Sequence, residues 1–478
     1  MRSGWLQDAQ FTIRRGGRRH GAGVFGALVV GICGMVGLHT AVAQDSTDRG
    51  LLLETFDAAW QIVYDTHYDT TFNGVDWLAL RDELRPRVEK ATETDEVRAV
   101  IEEMLDRLDQ SHFALIPAEV ADTLDPSEGD PSAEVGDVGI DSRFIGDQLI
   151  VTRVDADGPA AEAGVRPGWV VVAVGEDRVD DFVARHQEVE TRRSLEILIW
   201  AGLRNRLQGA PGSTIQVEFL DESDRAAVLE LTRRPIPGEP VKIGDLPTAF
   251  AQFVRHERQT PDGRASAGYI WFNAWLVPLV RQFDLAMDDF RELDGIVVDL
   301  RGNTGGMGAM IMGLAGHFID ERVSLGTMRT RTTKLKFLTN PRRVSAAGQR
   351  VTPFDGPVAV LTDGLSASAS EVFAGGMQAV GRVRVFGGVT AGAVLPARMD
   401  RLPNEDVLYH AFGEFETTTG LRLEGRGVFP DEPVTVTRED LLADRDAVLT
   451  AAMDWIAAER GRIARNHSAT ASHPERER

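Results

Sequence analysis

A chain of 478 residues, 43% hydrophobic and 26% charged, has a globular composition but is too long for one ordinary core, so two or three folded units are expected. Its formal net charge of −21 sets the surface against nucleic acid and anionic lipid. The single cysteine, Cys33, excludes a disulfide framework, and its place near the N-terminus leaves the rest of the chain without a thiol nucleophile or a thiolate metal site.

Residues 1–43 read as a secretory signal peptide. Arg14, Arg15, Arg18 and Arg19 precede a charge-free apolar run from Gly21 to Leu38, and Ala41-Val42-Ala43 supplies the small-x-small site. The alternative is an uncleaved anchor, the one route here to membrane association. Cleavage after Ala43 leaves 47 basic against 72 acidic residues, with charge spread along the chain as a solvated surface. A periplasmic or secreted protein is expected.

From 44 to 121 the apolar spacing predicts a helical N-terminal unit. Phe56, Trp60, Val63 and Tyr64 recur at threes and fours, as do Val97, Ile101, Met104, Leu105 and Leu108. The Pro, Ser, Gly and acid content of 122–136 predicts a linker.

Over 137–235 short β-like runs alternate with turns: Leu149-Ile150-Val151, then Val170 to Gly175, then Gly212 to Phe219, with a helical insert at Asp181 to Leu207. The run GPAAEAGVRPGWVVVAVGEDRV resembles bacterial PDZ domains. That resemblance implies a peptide-binding loop at Gly136 to Ile140, with Val138, Gly139 and Ile140 presenting backbone N–H groups to a C-terminal carboxylate. Asp137 puts a negative charge beside the expected carboxylate, and a module that only packs on its neighbour is the other reading.

From 236 to 464 strand, turn and helix alternate, which predicts a parallel sheet. Gly295 to Leu300 reads as a buried strand leading into Arg301-Gly302-Asn303-Thr304-Gly305-Gly306 and the apolar helix Met310 to Phe318. Val358 to Leu361 is a second strand, Ser366 to Val380 a helix of small residues, and Arg384 to Phe386 a third strand. A last helix is expected at about Arg438 to Ala458, with Thr437 and Asp440 as its capping pair. Residues 465–478 read as a disordered tail.

Ser366-Ala367-Ser368-Ala369-Ser370-Glu371 lies where a strand has ended and a helix begins. A hydroxyl there sits near backbone N–H groups able to hold an oxyanion, although capping alone explains such a pattern. Together, VVDLRGNTGG, VAVLTDGLSASASEVFAGGMQAVGR and LEGRGVFPDEPV resemble peptidase family S41, the C-terminal-processing or tail-specific proteases. The upstream FNGVDW and LDRLDQSHFAL are similar to that family's helical region. The resemblance runs from about residue 50 to 460. It implies an α/β core with a ClpP/crotonase-like parallel sheet, preceded by the helical unit and the β-rich PDZ-like domain.

By the same resemblance Ser368 is the nucleophile, and the N–H groups of Ala369 and of a glycine in the Gly305-Gly306 pair form the oxyanion hole. The dyad lysine of the family is replaced by Ala393 in Gly387 to Val394, a sequence that looks like the tricorn-like and retinoid-binding-like branch. A base must come from elsewhere. Of the eight histidines beyond residue 43, His112 and His410 are the candidates; His317 reads as packing, and Glu371 and Glu414 are further options. Neither Rossmann nor P-loop spacing occurs, nor a His-Glu-x-x-His motif, so no nucleotide, metal or other cofactor is expected. Two functions stay open. One is an exported serine endopeptidase taking unstructured or C-terminally recognised protein substrates by an acyl-enzyme route. The other is an inactive scaffold on the same fold.

Overall fold

The computed structural model describes residues 48–118, 135–185, 192–242 and 248–471. The signal-peptide segment, nearly all of the expected linker and the last seven residues of the tail lie outside them.

Three helices open the described chain: α1 Asp48–Thr66, α2 Trp77–Val88 and α3 Thr94–Asp106. Asp76 caps α2 by accepting from the Ala79 N–H. The apolar stripes named above meet in one core with Phe56, Trp77, Leu84, Ile101 and Met104 at its centre. This core is not closed on itself, because Leu395, Leu402, Leu408 and Ala411 from far along the chain complete it. A short strand, β1 Ala114–Ile116, follows.

The second unit is a twisted antiparallel sheet of β2 Ile140–Ile145, β3 Gln148–Val154, β4 Val170–Val174, β5 Thr214–Leu220 and β6 Ala226–Thr232, in that order. The two-residue strand Asp177–Arg178 pairs with β4. The helical insert contains two helices, Val179–Arg185 and α4 Arg192–Leu207. Leu203 and Leu207 of α4 share one apolar core with Val217 and Phe219 of β5.

The third unit is built on a six-stranded sheet of β7 Phe253–Gln259, β8 Ser266–Phe272, β9 Gly295–Asp299, β12 Val358–Thr362, β13 Arg384–Gly387 and β17 Glu432–Pro433. All neighbours are parallel except β7 on β8, so the sheet is mixed at one edge rather than wholly parallel. Strands β9 and β12 are buried along their whole length, as expected of strands covered on both faces. One face carries α5 Leu279–Phe290, α6 Met310–Ala315 and α7 Ala369–Ala379. The other carries Val448, Ala452 and Ile456 of α8 Ala447–Ala471.

Two smaller sheets flank this core. β11 Lys334–Leu338 pairs with β10 Ser324–Thr330, which pairs with β16 Gly413–Thr417. β15 Val407–Ala411 pairs with β14 Ala397–Arg401 on one side and with β1 on the other, joining the helical unit to the core. The buried Asp406 accepts from both Nε and Nη2 of Arg98 on α3, a fork that fixes the same junction.

Three expectations need correction. The helix of small residues, α7, starts at Ala369 rather than Ser366, because Ser366 and Ala367 still belong to the turn. The last helix is two: a short one at Arg438–Leu442, capped by Thr437 and Asp440 as expected, then α8. α8 runs on to Ala471, through the first seven residues of the expected tail.

Candidate active site

Ser368 joins the turn after β12 to α7 with φ 53° and ψ −116°, a backbone conformation costly for any residue with a Cβ. Neighbouring bonds impose it. The Ser368 N–H donates to the Ala393 carbonyl at 2.8 Å and lies 3.2 Å from Glu371 Oε2, while the Ala367 N–H donates to the Asn303 carbonyl. The adjacent serines are buried and committed. Ser366 Oγ donates to the Leu300 carbonyl and accepts from the Asp363 N–H. Ser370 Oγ donates to the Asn303 carbonyl and accepts from Trp275 Nε1. Of the three, Ser368 alone is half-buried rather than buried.

Gly305 presses on Ser368: a Cβ at Gly305 would lie 2.6 Å from Ser368 Cβ, and φ of +104° already favours glycine. Its N–H, however, donates to Asn303 Oδ1 at 3.0 Å, so Gly305 makes space rather than offering a donor. The N–H of Gly306 meets no acceptor among the described residues. Ala369 is the first residue of α7, where an N–H has no intrahelical partner.

The loop after β13 is tied to α7 by Glu371. One carboxylate oxygen accepts from Thr390 Oγ1 at 2.5 Å and from the Gly392 N–H, the other from the Ala393 N–H. Burial pushes this carboxyl up to about 7. Those bonds make Glu371 a brace for the loop. Ala393 sits in an apolar cluster with Ala391, Leu365 and Ala367 and with Ile197, Trp200 and Ala201 of α4. The position taken by a lysine in dyad enzymes is therefore lined with carbon.

His112 is brought to the same loop through a relay. Its Nδ1 lies 2.7 Å from Ser111 Oγ, and Ser111 Oγ donates to Glu424 Oε2 at 3.0 Å. Glu424 also accepts from the N–H groups of Ser111 and Val394. Val394 follows Ala393, so consecutive residues hold Ser368 and the carboxylate of Glu424. Burial alone depresses the His112 imidazole to about 4, which keeps it neutral, and burial raises the Glu424 carboxyl.

His410 is not at this site. Its Nε2 is 2.6 Å from Asp400 Oδ2 and its Nδ1 3.2 Å from Thr66 Oγ1, so one ring nitrogen ties β15 to β14 and the other ties it to α1. Glu414 lies on β16 and pairs with Arg422, and His317 is buried against Asp284. Ser111 and Glu424 escaped the sequence reading, although both lie in stretches singled out there. An acid leading into two glycines in LEGRG was the available signal for Glu424.

At the expected peptide loop the N–H of Gly139 donates to Asp137 Oδ1 at 2.7 Å, and Val138 is fully buried. A peptide carboxylate would have to displace Asp137. Instead the β-rich unit faces the turn that leads into Ser368. Arg143 on β2 donates to Asp363 Oδ2 at 2.8 Å, and the other oxygen of Asp363 accepts from the N–H groups of Gly302, Leu365 and Ser366.

Residues 266–434 match the family model for peptidase family S41, and residues 53–106 that of the tricorn protease C1 domain. A carboxyl-terminal-processing protease of Synechocystis sp. is 26% identical over 445 residues, covering 90% of this chain and 92% of that one. The chloroplastic carboxyl-terminal-processing peptidase 2 of Arabidopsis thaliana is 25% identical over 398 residues, covering 81% and 69%. Among solved structures, a photosystem II D1 C-terminal processing protease shares the fold with a TM-score of 0.53 at 21% identity, over 80% of this chain and 93% of that one. Mature CPAF in complex with lactacystin does so with a TM-score of 0.56 at 11% identity, over 88% and 99%. Through residues 266–434 the chain is thus similar to peptidase family S41.

Proposed function

We propose that this peptidase is an exported endopeptidase that cleaves unstructured polypeptide through an acyl-enzyme on Ser368, with His112 as general base. The observation that carries the reading is the unbroken sequence of hydrogen bonds from His112 Nδ1 through Ser111 Oγ to Glu424. The Ser111 hydroxyl has one proton. When it goes to the Glu424 carboxylate, His112 must donate from Nδ1, which leaves the Nε2 lone pair to accept a proton.

In the reaction so supported, Ser368 Oγ bonds to the substrate carbonyl carbon as its proton passes to His112 Nε2. The oxyanion is held by the N–H groups of Ala369 and Gly306, each such donor being worth roughly 3 kcal/mol in the transition state. Collapse expels the amine, which takes the proton from His112, and water repeats the steps in reverse to free Ser368. The missing lysine then ceases to argue for an inert scaffold. Export rests on the signal-like N-terminus, and the β-rich unit is read as PDZ-like from its sequence. No described helix is long and apolar enough to cross a membrane.

The test is covalent labelling with a fluorophosphonate, followed by digestion of an unfolded test protein. Wild type should be labelled at Ser368 and should digest the protein. An unlabelled, inert wild-type chain would overturn the reading.

A further inference from the structure

Between Arg322 and Phe354 the chain carries eight lysines and arginines and not one aspartate or glutamate, in a protein where acids outnumber bases 73 to 52. The even spread of charge expected from the sequence breaks down here. This stretch forms β10, β11 and the loop beyond. Three of its cations are neutralised at home: Arg329 by Glu416, Arg342 by Asp284 and Arg343 by Asp320. Lys334 and Lys336 are exposed on β11 and meet no acidic partner among the described residues.

β11 is also the outer strand of its sheet, bonded to β10 on one side and to no described strand on the other. It runs beside the oxyanion turn, since a methyl group at Gly308 would stand 3.9 Å from the Phe337 ring, three residues on from the Gly305 that presses on Ser368. Phe337 is anchored in turn, edge to face with Phe415 at 5.6 Å. Lysine on an edge strand commonly guards against pairing between copies, but that duty is indifferent to sign. A run of cations with no anion, in an otherwise acidic chain, selects one sign of partner.

We propose that the open edge of β11 receives an extended, acidic segment of the substrate polypeptide as an added strand, with Lys334 and Lys336 meeting carboxylates at alternate positions. This names the substrate class of the peptidase site and rests on that reading. Main-chain bonds to an edge are tolerant of sequence, so discrimination falls to side chains of period two, and the two lysines have that period.

The test uses the whole protein and three quenched fluorescent peptides with one scissile sequence and acidic, neutral or basic flanks. Wild type should favour the acidic peptide in kcat/KM, with the preference shrinking as NaCl is raised. The double variant Lys334→Glu/Lys336→Glu should lose about tenfold on the acidic peptide while staying within about twofold on the neutral one. Fluorescence anisotropy of the acidic peptide with the Ser368→Ala protein should show the same loss when the lysines are reversed.

Equal turnover of acidic and basic peptides by wild type, or a preference unchanged in the double variant, overturns the proposal. Failure of wild type to cleave any peptide strikes the peptidase reading instead, and anisotropy then decides whether the edge takes acidic peptide. Charge reversal that abolishes only flotation with phosphatidylserine vesicles, or only self-association in sedimentation, assigns the cations to a membrane or to a second copy and also overturns it.

Discussion

Ser368 and Ala393 are joined through their backbones, the N–H of one donating to the carbonyl of the other at 2.8 Å. Ala393 thus holds the main chain of the proposed nucleophile while offering it no base. Its methyl group is packed among Leu365, Ala367 and Trp200. Ala393→Lys should therefore fail to rescue a His112→Ala enzyme. Forcing a cation into that cluster should lower stability by several kcal/mol, read as a fall in the denaturant midpoint.

Ser368→Ala should abolish both fluorophosphonate labelling and cleavage. Ser366→Ala and Ser370→Ala should keep the chemistry but melt earlier, because each strands buried partners, at a cost of about 1–3 kcal/mol. Active-site titration separates the two outcomes: fewer competent molecules with normal turnover mark the structural serines.

Replacing His112 by Ala should cost orders of magnitude in kcat, and Ser111→Ala and Glu424→Gln about 10²–10⁴-fold, with little further loss on combination, since the three act as one unit. His410→Ala should instead reduce stability and leave kcat within a fewfold. A His410→Ala protein that is folded yet inert would contradict the assignment.

Buried neutral, His112 binds a proton only below about pH 4, whereas the unfolded chain takes one up near 6.5. Between those values the unfolded state holds more protons, so stability drops as pH falls, by about 3 kcal/mol for this group alone. The same depression should carry the acid limb of kcat/KM well below the ordinary imidazole range. His112→Gln should flatten the acid limb of a melting-temperature profile.

Arg143→Ala should leave Asp141 and Asp363 facing each other without their shared cation, destabilising the contact between the β-rich unit and the nucleophile turn by about 3–5 kcal/mol. Asp363 also anchors the N–H groups of Gly302 and Ser366, so kcat should fall with it. Unchanged kcat at full folding would show that the two units are not coupled through this residue.

Much of the architecture could be read from local pattern. Strands β9 and β12 announce themselves as unbroken apolar runs, the stripes of α1 and α3 as threes and fours, and Ser368 as a hydroxyl opening a helix, because each signal lies within one element. The proposed base relay could not be read that way. Ser111 and Glu424 stand 313 residues apart, and they meet only because β1 pairs with β15 and the helical unit completes its core with residues of the distant loop. The choice of His112 over His410 as the proposed base likewise depends on what surrounds each ring: Asp400 and Thr66 claim both nitrogens of His410, whereas Ser111 meets only Nδ1 of His112. Hydrophobic periodicity is a property of neighbours in the chain, whereas a proton relay is a property of neighbours in space, and folding alone makes the second kind.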